Sequence, residues 1–183
     1  MEEVEQVRQA LGLNQDNFYL LGHSWGGILA AEYALKYPDN LKGLIISNIM
    51  MSCPEYGKYA DEVLAKQMEP KVLAEIQGLE SKGDFANPRY MEFMQGPREF
   101  GISGKLEKWD VTARLPEIKV PTLVIGARHD TMDSAHMKMV SEKVQKGRFL
   151  LCPEGSHMSM WDDQAHYFPE LISFLKEVDG GRI

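Results

Sequence analysis

The sequence predicts an α/β fold, in which helices alternate with the strands of a mostly parallel sheet. Three observations support this prediction. Apolar runs of strand length occur at 17–21, 41–46, 120–126 and 149–152, and helix-forming segments stand between them. A glycine-flanked serine follows the first run directly. An aspartate and a histidine follow the last two runs, at the ends of strands where open α/β sheets carry their chemistry.

The first part of the chain, residues 1–47, predicts a helix, a strand, a second helix and a second strand. Val4, Val7 and Leu11 recur at helical spacing, and Gly12 is placed to end that helix. The first strand then covers 17–21, and residues 28–35 are good helix formers. This part therefore forms the first half of an α/β core.

The middle of the chain, residues 48–110, changes in character. It is rich in methionine and helical in pattern at 56–68 and 72–79, and glycine and proline interrupt it. Because it separates two α/β segments, we expect a short helical cap insertion over the active site. Flexible methionine side chains suit an adaptable pocket lining, although ordinary core packing explains them equally well.

The last part, residues 111–183, returns to alternating strands and helices. The run at 120–126 is β-branched and begins beside a proline, which is typical of a buried parallel strand. A second strand is expected at 149–152, and a final helix from about 163 to 178. Pro169 is expected in an early turn of that helix or at a kink.

The most informative motif is Gly22-His23-Ser24-Trp25-Gly26, which matches the G-x-S-x-G pattern of a nucleophile elbow. A serine on a tight turn from strand to helix presents its hydroxyl at the carboxyl edge of the sheet. The flanking glycines let strand and helix approach closely. The N-terminus of the helix supplies backbone N–H groups where an oxyanion would form.

An acid and a base follow Ser24 in the order Ser, Asp, His. Asp130 comes after the strand at 120–126, and His157 comes after the strand at 149–152. This order is typical of the α/β-hydrolase fold and differs from the chymotrypsin and subtilisin orders. Asp133 is a rival for the acid, but its place before a helical run predicts a helix N-cap.

These three residue types suit nucleophilic catalysis. A serine hydroxyl is a weak nucleophile near neutral pH and needs a base to accept its proton. His157 can act as that base, and Asp130 can fix the imidazole tautomer and stabilise the imidazolium. The remaining histidines have weaker claims to chemistry: His23 lies within the elbow, His129 lies beside the acid, and His136 and His166 fall on predicted helices.

Composition limits the classes of function. The net charge of −7 and the absence of a basic cluster argue against nucleic-acid binding. No apolar run reaches the roughly 20 residues of a membrane span, and the acidic, helix-forming start predicts no signal peptide. Cys53 and Cys152 are expected to be free thiols of a cytoplasmic protein, with a catalytic cysteine as a minor alternative. No histidine pair has metal-ligand spacing, so we predict neither metal nor cofactor.

Nearly the whole chain resembles the proline iminopeptidases, which are serine peptidases of the α/β-hydrolase superfamily. The elbow alone indicates only the superfamily. The resemblance to this family is carried further by Glu32-Tyr33-Ala34-Leu35-Lys36-Tyr37-Pro38, Gln95-Gly96-Pro97-Arg98-Glu99-Phe100, Trp109-Asp110-Val111-Thr112 and Gly155-Ser156-His157.

The resemblance implies hydrolysis of a short peptide or amino-acid amide with release of an N-terminal proline or other small residue. Ser24 would form an acyl-enzyme, His157 would act as base and then acid, and Asp130 would orient it. The backbone N–H of Trp25 would be one oxyanion donor. Glu99 matches a cap-side glutamate that binds the free amino group of the substrate in these enzymes.

The chain departs from the family in two ways. Family members normally begin about a hundred residues earlier, with a His-Gly-Gly-Pro type loop that supplies the second oxyanion donor. The cap is also expected to be shorter between Tyr90 and Met94. Two alternatives to a peptidase therefore stay open: an amino-acid amidase or small-ester hydrolase, and a noncatalytic fragment that lacks the second donor.

The sequence also predicts an unpaired apolar sheet edge at 18–21, because earlier strands flank the elbow strand in this fold. We expect the isolated chain to self-associate through this edge or to be poorly stable. Light scattering checks this, and a monomer of 20.8 kDa that melts cooperatively at an ordinary temperature would contradict it.

Overall fold

A four-stranded parallel sheet forms the centre of the larger of two structural units. The computed structural model describes residues 1–75 and 104–183. The larger unit comprises Met1–Ile49 and Thr112–Ile183, and the smaller one comprises Met50–Val111.

The sheet has the order β1-β2-β3-β4, which is also the order along the chain. All three neighbouring pairs are parallel, with Leu21 opposite Ile45 and Ile45 opposite Leu123. The strands are β1 (Tyr19–His23), β2 (Gly43–Ser47), β3 (Thr122–Ala127) and β4 (Gly147–Cys152). The predicted strands are therefore all present, with boundaries shifted by one to two residues.

Helices precede, connect and follow the strands of the larger unit, as the alternation in the sequence predicts. They are α1 (Glu2–Ala10), α2 (Trp25–Lys36), α5 (Ser134–Lys143), α6 (Ser159–Asp162) and α7 (Gln164–Asp179). Gly12 follows α1 in the left-handed region with φ of 64°, which suits the predicted helix end. Pro169 lies within the second turn of α7.

The two faces of the sheet pack against different helices. On one face Ile45, Leu123 and Ile125 form a buried cluster with Tyr167 and Phe174 of α7. The other face contacts α2 and α5, because successive strand residues point to opposite sides. Burial on both faces explains why β2 and β3 read as continuous apolar runs.

The passage from β1 to α2 brings strand and helix unusually close. A Cβ atom added at Gly22 would lie 2.2 Å from the carbonyl oxygen of Gly26 and 2.7 Å from Cβ of Ala30. A Cβ added at Gly27 would lie 2.3 Å from Cγ2 of Ile49. Glycine is therefore required at these two positions by space.

The smaller unit begins with helix α3 (Cys53–Tyr59), which continues as a π-helical turn at Ala60–Leu64 and a last α-helical turn, α4 (Ala65–Gln67). The Ser52 hydroxyl caps α3 by accepting from the N–H of Glu55. Ser52 Oγ also donates to Asp110 Oδ2 at 2.9 Å. The helix predicted at 56–68 is present. Residues 70–75 are also helical, which includes the first part of the second helix predicted at 72–79, and the remainder of that helix lies outside the described residues.

Strand β1 pairs only with β2 within the described residues, so it lies at an edge of the sheet there. The prediction of a bare apolar edge needs one correction, which concerns Phe18. Phe18 is buried and meets the Tyr33 ring edge-on, with 5.9 Å between ring centroids. Leu21 is exposed, at 44%. Self-association through this edge remains a prediction.

None of the helices in the described residues is long and apolar enough to span a membrane.

We predict that Gly22→Ala lowers the free energy of unfolding by about 1–3 kcal/mol, because the new methyl group would overlap the backbone of α2. Gly26→Ala is the matched control, since a Cβ there meets nothing within 4 Å and alanine favours a helix. Urea unfolding of both variants measures the difference. Equal stability of the two variants would contradict the steric argument.

Candidate active site

Ser24 occupies the turn between β1 and α2 in an uncommon backbone conformation, with φ of 53° and ψ of −131°. Its N–H donates to the carbonyl of Ser47 at 2.9 Å, which continues the pairing of β1 with β2. Its carbonyl accepts from the N–H of Gly27 at 2.7 Å, which starts α2. Strand pairing and helix initiation therefore both hold the strained residue in place.

Asp130 lies three residues beyond the end of β3, and its side chain is completely buried. A buried carboxylate needs hydrogen-bond donors, and Asp130 has them on both oxygens. The rival acid, Asp133, caps α5 by accepting from the N–H of Ala135 at 2.9 Å, as its position predicts.

His157 lies in the loop after β4. This loop is joined to the loop that carries the acid, because the N–H of His129 donates to the carbonyl of Gly155 at 2.9 Å. Gly155 is tightly enclosed: an added Cβ would lie 2.9 Å from Cβ of Cys152 and of Ser159. The path of the chain before His157 is thus fixed by a backbone hydrogen bond and by close packing around Gly155.

The three predicted residues meet in one hydrogen-bonded line. His157 Nδ1 lies 2.9 Å from Asp130 Oδ1, and His157 Nε2 lies 2.9 Å from Ser24 Oγ. Because an ionised carboxylate only accepts, Nδ1 carries a proton when the imidazole is neutral. Nε2 is then free to accept the proton of the serine hydroxyl.

A buried polar cluster that sequence reasoning missed lies beneath this line. Asn48 is completely buried, and its Nδ2 donates to Asp130 Oδ2 at 2.8 Å and to the carbonyl of Ser156 at 3.2 Å. Its Oδ1 accepts from the hydroxyls of Ser47 at 2.8 Å and Ser159 at 2.9 Å. The one signal in the sequence was a polar Ser-Asn pair directly after a buried strand.

His23 lies beside the hydrogen-bonded line rather than within it. Its ring is 5.1 Å from the ring of His157 between centroids, and its Nδ1 is 3.3 Å from Ser47 Oγ. Burial lowers the pKa of His23, and the neighbouring His157 lowers it further. His23 Nε2 is buried and has no hydrogen-bond partner among the described residues.

The remaining candidates lie apart from this line. His166 on α7 is 2.6 Å from Asp163 Oδ1, and His136 on α5 is buried. Trp25 is the first residue of α2 and is 42% exposed. Glu99 lies outside the described residues. In residues 1–75 and 104–183, no group of three or more His, Cys, Asp or Glu residues could hold a metal ion.

Known proteins resemble this chain in sequence. A family model described as the alpha/beta hydrolase fold matches residues 2–69. The proline iminopeptidase of Flavobacterium johnsoniae is 52% identical over 217 residues, which cover 100% of this chain and 73% of that protein. The proline iminopeptidase of Elizabethkingia meningoseptica is 51% identical, covering 98% and 72%. The chain belongs to the proline iminopeptidase family. It is therefore a hydrolase of the serine aminopeptidase class.

This chain is shorter than the aligned region of the Flavobacterium johnsoniae relative. The alignment spans 217 positions, whereas this chain has 183 residues, so the difference of 34 is the least number of positions at which the relative has residues without a counterpart here. The two proteins therefore differ in length within the aligned region.

Solved structures confirm the α/β-hydrolase fold of this member of the proline iminopeptidase family. The crystal structure of proline iminopeptidase from Mycobacterium smegmatis matches with a TM-score of 0.81 and 24% identity, covering 99% of this chain and 71% of that one. The crystal structure of VinJ matches with a TM-score of 0.83 and 23% identity, covering 96% and 71%. At these identities the likeness concerns the fold.

We predict that neither cysteine reacts quickly with a thiol reagent such as dithionitrobenzoate in the native protein at pH 8. Burial raises the pKa of Cys53 to about 12, and burial raises the pKa of Cys152 to about 11, so both thiols stay protonated there. Unfolding in guanidinium should expose two reactive thiols. Fast labelling of folded protein would favour the alternative of a reactive cysteine.

Proposed function

We propose that this chain is a serine aminopeptidase that releases an N-terminal proline, or another small residue, from short peptides through an acyl-enzyme. The observation that carries the proposal is the line from Ser24 through His157 to Asp130, with both hydrogen bonds at 2.9 Å. Family membership supports the same reaction, because the relatives at 51–52% identity are named proline iminopeptidases.

In the acylation step, Ser24 Oγ attacks the carbonyl carbon of the N-terminal residue of the substrate. His157 Nε2 takes the hydroxyl proton as the new bond forms, and Asp130 stabilises the resulting imidazolium. His157 then gives that proton to the leaving amine, and the carbon–nitrogen bond breaks. The first product leaves with its new amino terminus, while the N-terminal residue remains as an ester on Ser24.

In the deacylation step, a water molecule takes the place of the leaving amine. His157 accepts a proton from this water, whose oxygen attacks the ester carbonyl, and the proton passes to Ser24 Oγ as the ester breaks. The side chain of His157 is 34% exposed, so it can be reached from solvent. The enzyme then returns to its starting protonation state.

Charge on the carbonyl oxygen in both steps would be stabilised at the N-terminus of α2. The backbone N–H of Trp25 belongs to the first turn of this helix, directly after the nucleophile. Donors at that position are fixed before the reaction and point with the helix dipole, so little reorganisation is needed as the charge develops. The backbone N–H of Trp25 is therefore the proposed oxyanion donor.

Recognition of the free amino terminus is assigned in this proposal to Glu99. A carboxylate facing an ammonium group would form a charge-assisted hydrogen bond and would discriminate against blocked peptides. The assignment rests on the resemblance of residues 95–100 to the family, since Glu99 lies outside the described residues.

We also propose a cytoplasmic location. Cys53 and Cys152 are both free and buried in the structure. Unpaired thiols are typical of proteins that work in a reducing compartment.

We predict that a fluorophosphonate probe labels the purified protein at Ser24, because such probes react only with a serine that its base has activated. Mass spectrometry locates the adduct, and Ser24→Ala is the control. Comparing the rates of hydrolysis of a prolyl anilide and an aryl ester would then distinguish a peptidase from an esterase, since a peptidase would favour the anilide. Absence of labelling in folded protein would contradict the proposed function and favour a noncatalytic fragment.

We predict that Asp130→Asn reduces kcat by about 10⁴-fold, because the amide favours the wrong imidazole tautomer in a Ser-His-Asp site. Asp133→Asn is the matched control, since asparagine caps a helix as well as aspartate does. Steady-state kinetics of both variants give the answer. A similar loss in both would show that the acid had been assigned to the wrong residue.

A further inference from the structure

We propose that Asn48 is a positioning residue of this active site, whose one amide group holds both the acid and the backbone of the loop that carries the base. The proposal rests on the proposed function of Ser24, Asp130 and His157. Its basis is the position of Asn48 Nδ2, which lies 2.8 Å from Asp130 Oδ2 and 3.2 Å from the carbonyl oxygen of Ser156.

The two contacts reach different parts of the catalytic line. Asp130 Oδ2 is the oxygen that does not face His157, so a donor there fixes the rotation of the carboxylate without competing for Oδ1. Ser156 immediately precedes His157, so a donor on its carbonyl fixes the backbone from which the imidazole extends. Asn48 therefore sets the acid and the base relative to one another.

The orientation of the Asn48 amide follows from its partners. A carboxylate and a backbone carbonyl can only accept hydrogen bonds, so the group that faces them must be the NH₂. The opposite side, Oδ1, receives the hydroxyls of Ser47 and Ser159. Two donors and two acceptor sites are thus all used, which is the condition under which a buried amide is tolerated.

The backbone of Asn48 adds a second reason for this residue type. Its φ of 54° lies in the left-handed region, which asparagine adopts more readily than most residues. Its N–H donates to the carbonyl of Ile125 at 2.8 Å, so the residue is tied to β3 while it follows β2. The side chain is thereby placed between the strand of the nucleophile and the strand of the acid.

Asn48→Gly tests the proposal, because glycine keeps the left-handed backbone and removes only the amide. We expect kcat and the rate of fluorophosphonate labelling to fall about 10- to 100-fold, with KM within about twofold of the parent. Losses of this size occur in metalloproteins when a hydrogen-bond partner that orients a metal-ligating histidine is removed. Retained KM distinguishes loss of positioning from loss of substrate binding.

Asn40→Gly is the matched control. Asn40 Nδ2 also donates to a carboxylate, Glu5 Oε2, at 3.2 Å, but this contact joins α1 to the loop after α2, away from the catalytic line. We expect unchanged kcat and labelling in this variant. Thermal melting of both variants checks that each is folded at the assay temperature.

Asn48→Asp gives a readout that a merely structural role would not change. Two carboxyl groups at hydrogen-bond distance do not both ionise at neutral pH, so the introduced group keeps a proton and can donate it to Asp130. As the pH rises this proton is lost, and repulsion replaces the hydrogen bond. We therefore expect activity near the parent level at the acid end of the profile and a new loss of activity on the basic side.

The titratable groups around residue 48 do not account for a loss of activity on the basic side, so such a loss would come from the introduced carboxyl group and Asp130. These titratable groups are Asp130, His157, His23, Tyr167 and Cys152. Burial raises the pKa of Tyr167 above its ordinary value and that of Cys152 to about 11, and burial lowers the pKa of His23. A basic limb between about pH 7 and 9 in Asn48→Asp, absent from the parent and from Asn48→Gly, would support the proposal.

Histidine ring-nitrogen NMR separates this proposal from the proposed function, because it does not need turnover. We expect His157 to carry its proton on Nδ1 in the parent, and to lose part of that population in Asn48→Gly. Absence of Ser24 labelling in the parent would count against the function alone. An unchanged tautomer in Asn48→Gly, a parent without the Nδ1 proton, or labelling of Asn48→Gly within twofold of the parent would each overturn the role of Asn48.

Discussion

The close approach of β1 and α2 is the constraint on which the remaining site geometry depends. Because Gly22 carries no side chain, β1 and α2 can approach so closely that the chain turns from strand to helix at a single residue. That residue is Ser24, and its positive φ is the local cost of the turn. The hydrogen bond from its N–H to the carbonyl of Ser47 fixes Ser24 against β2. The residue that follows Ser47 in turn contacts Asp130 and the loop that carries His157.

The site lies at the carboxyl ends of the strands, where each of four adjacent strands is followed by one of its groups. Ser24 follows β1, Asn48 follows β2, Asp130 follows β3 and His157 follows β4. A carboxylate as deeply buried as that of Asp130 would be costly without donors, and the histidine and the amide supply one for each oxygen. The same contacts that make burial tolerable also fix the direction of the carboxylate, so stability and geometry have a common source.

The sequence was sufficient to predict the alternation of strands and helices, the turn at Ser24 and the positions of Asp130 and His157. These features have short-range signals, namely apolar runs, flanking glycines and polar residues just after strands. Asn48 was missed because its partners are 82 and 108 residues away along the chain, so no local pattern indicates them. The burial of Phe18 was missed for the same reason, since it depends on the ring of Tyr33 in α2 rather than on its own neighbours.

The identical order of the strands in space and along the chain has a consequence for how catalytic competence arises during synthesis. During synthesis the ribosome releases the amino-terminal part of the chain first. A nascent chain that has emerged as far as the loop after β3 already contains Ser24, Asn48 and Asp130, but not His157. Proton transfer from Ser24 becomes available only when the loop after β4 docks. In the proposed mechanism, hydrolysis therefore begins only after β4 has paired with β3, and the onset of activity would report that this pairing has formed.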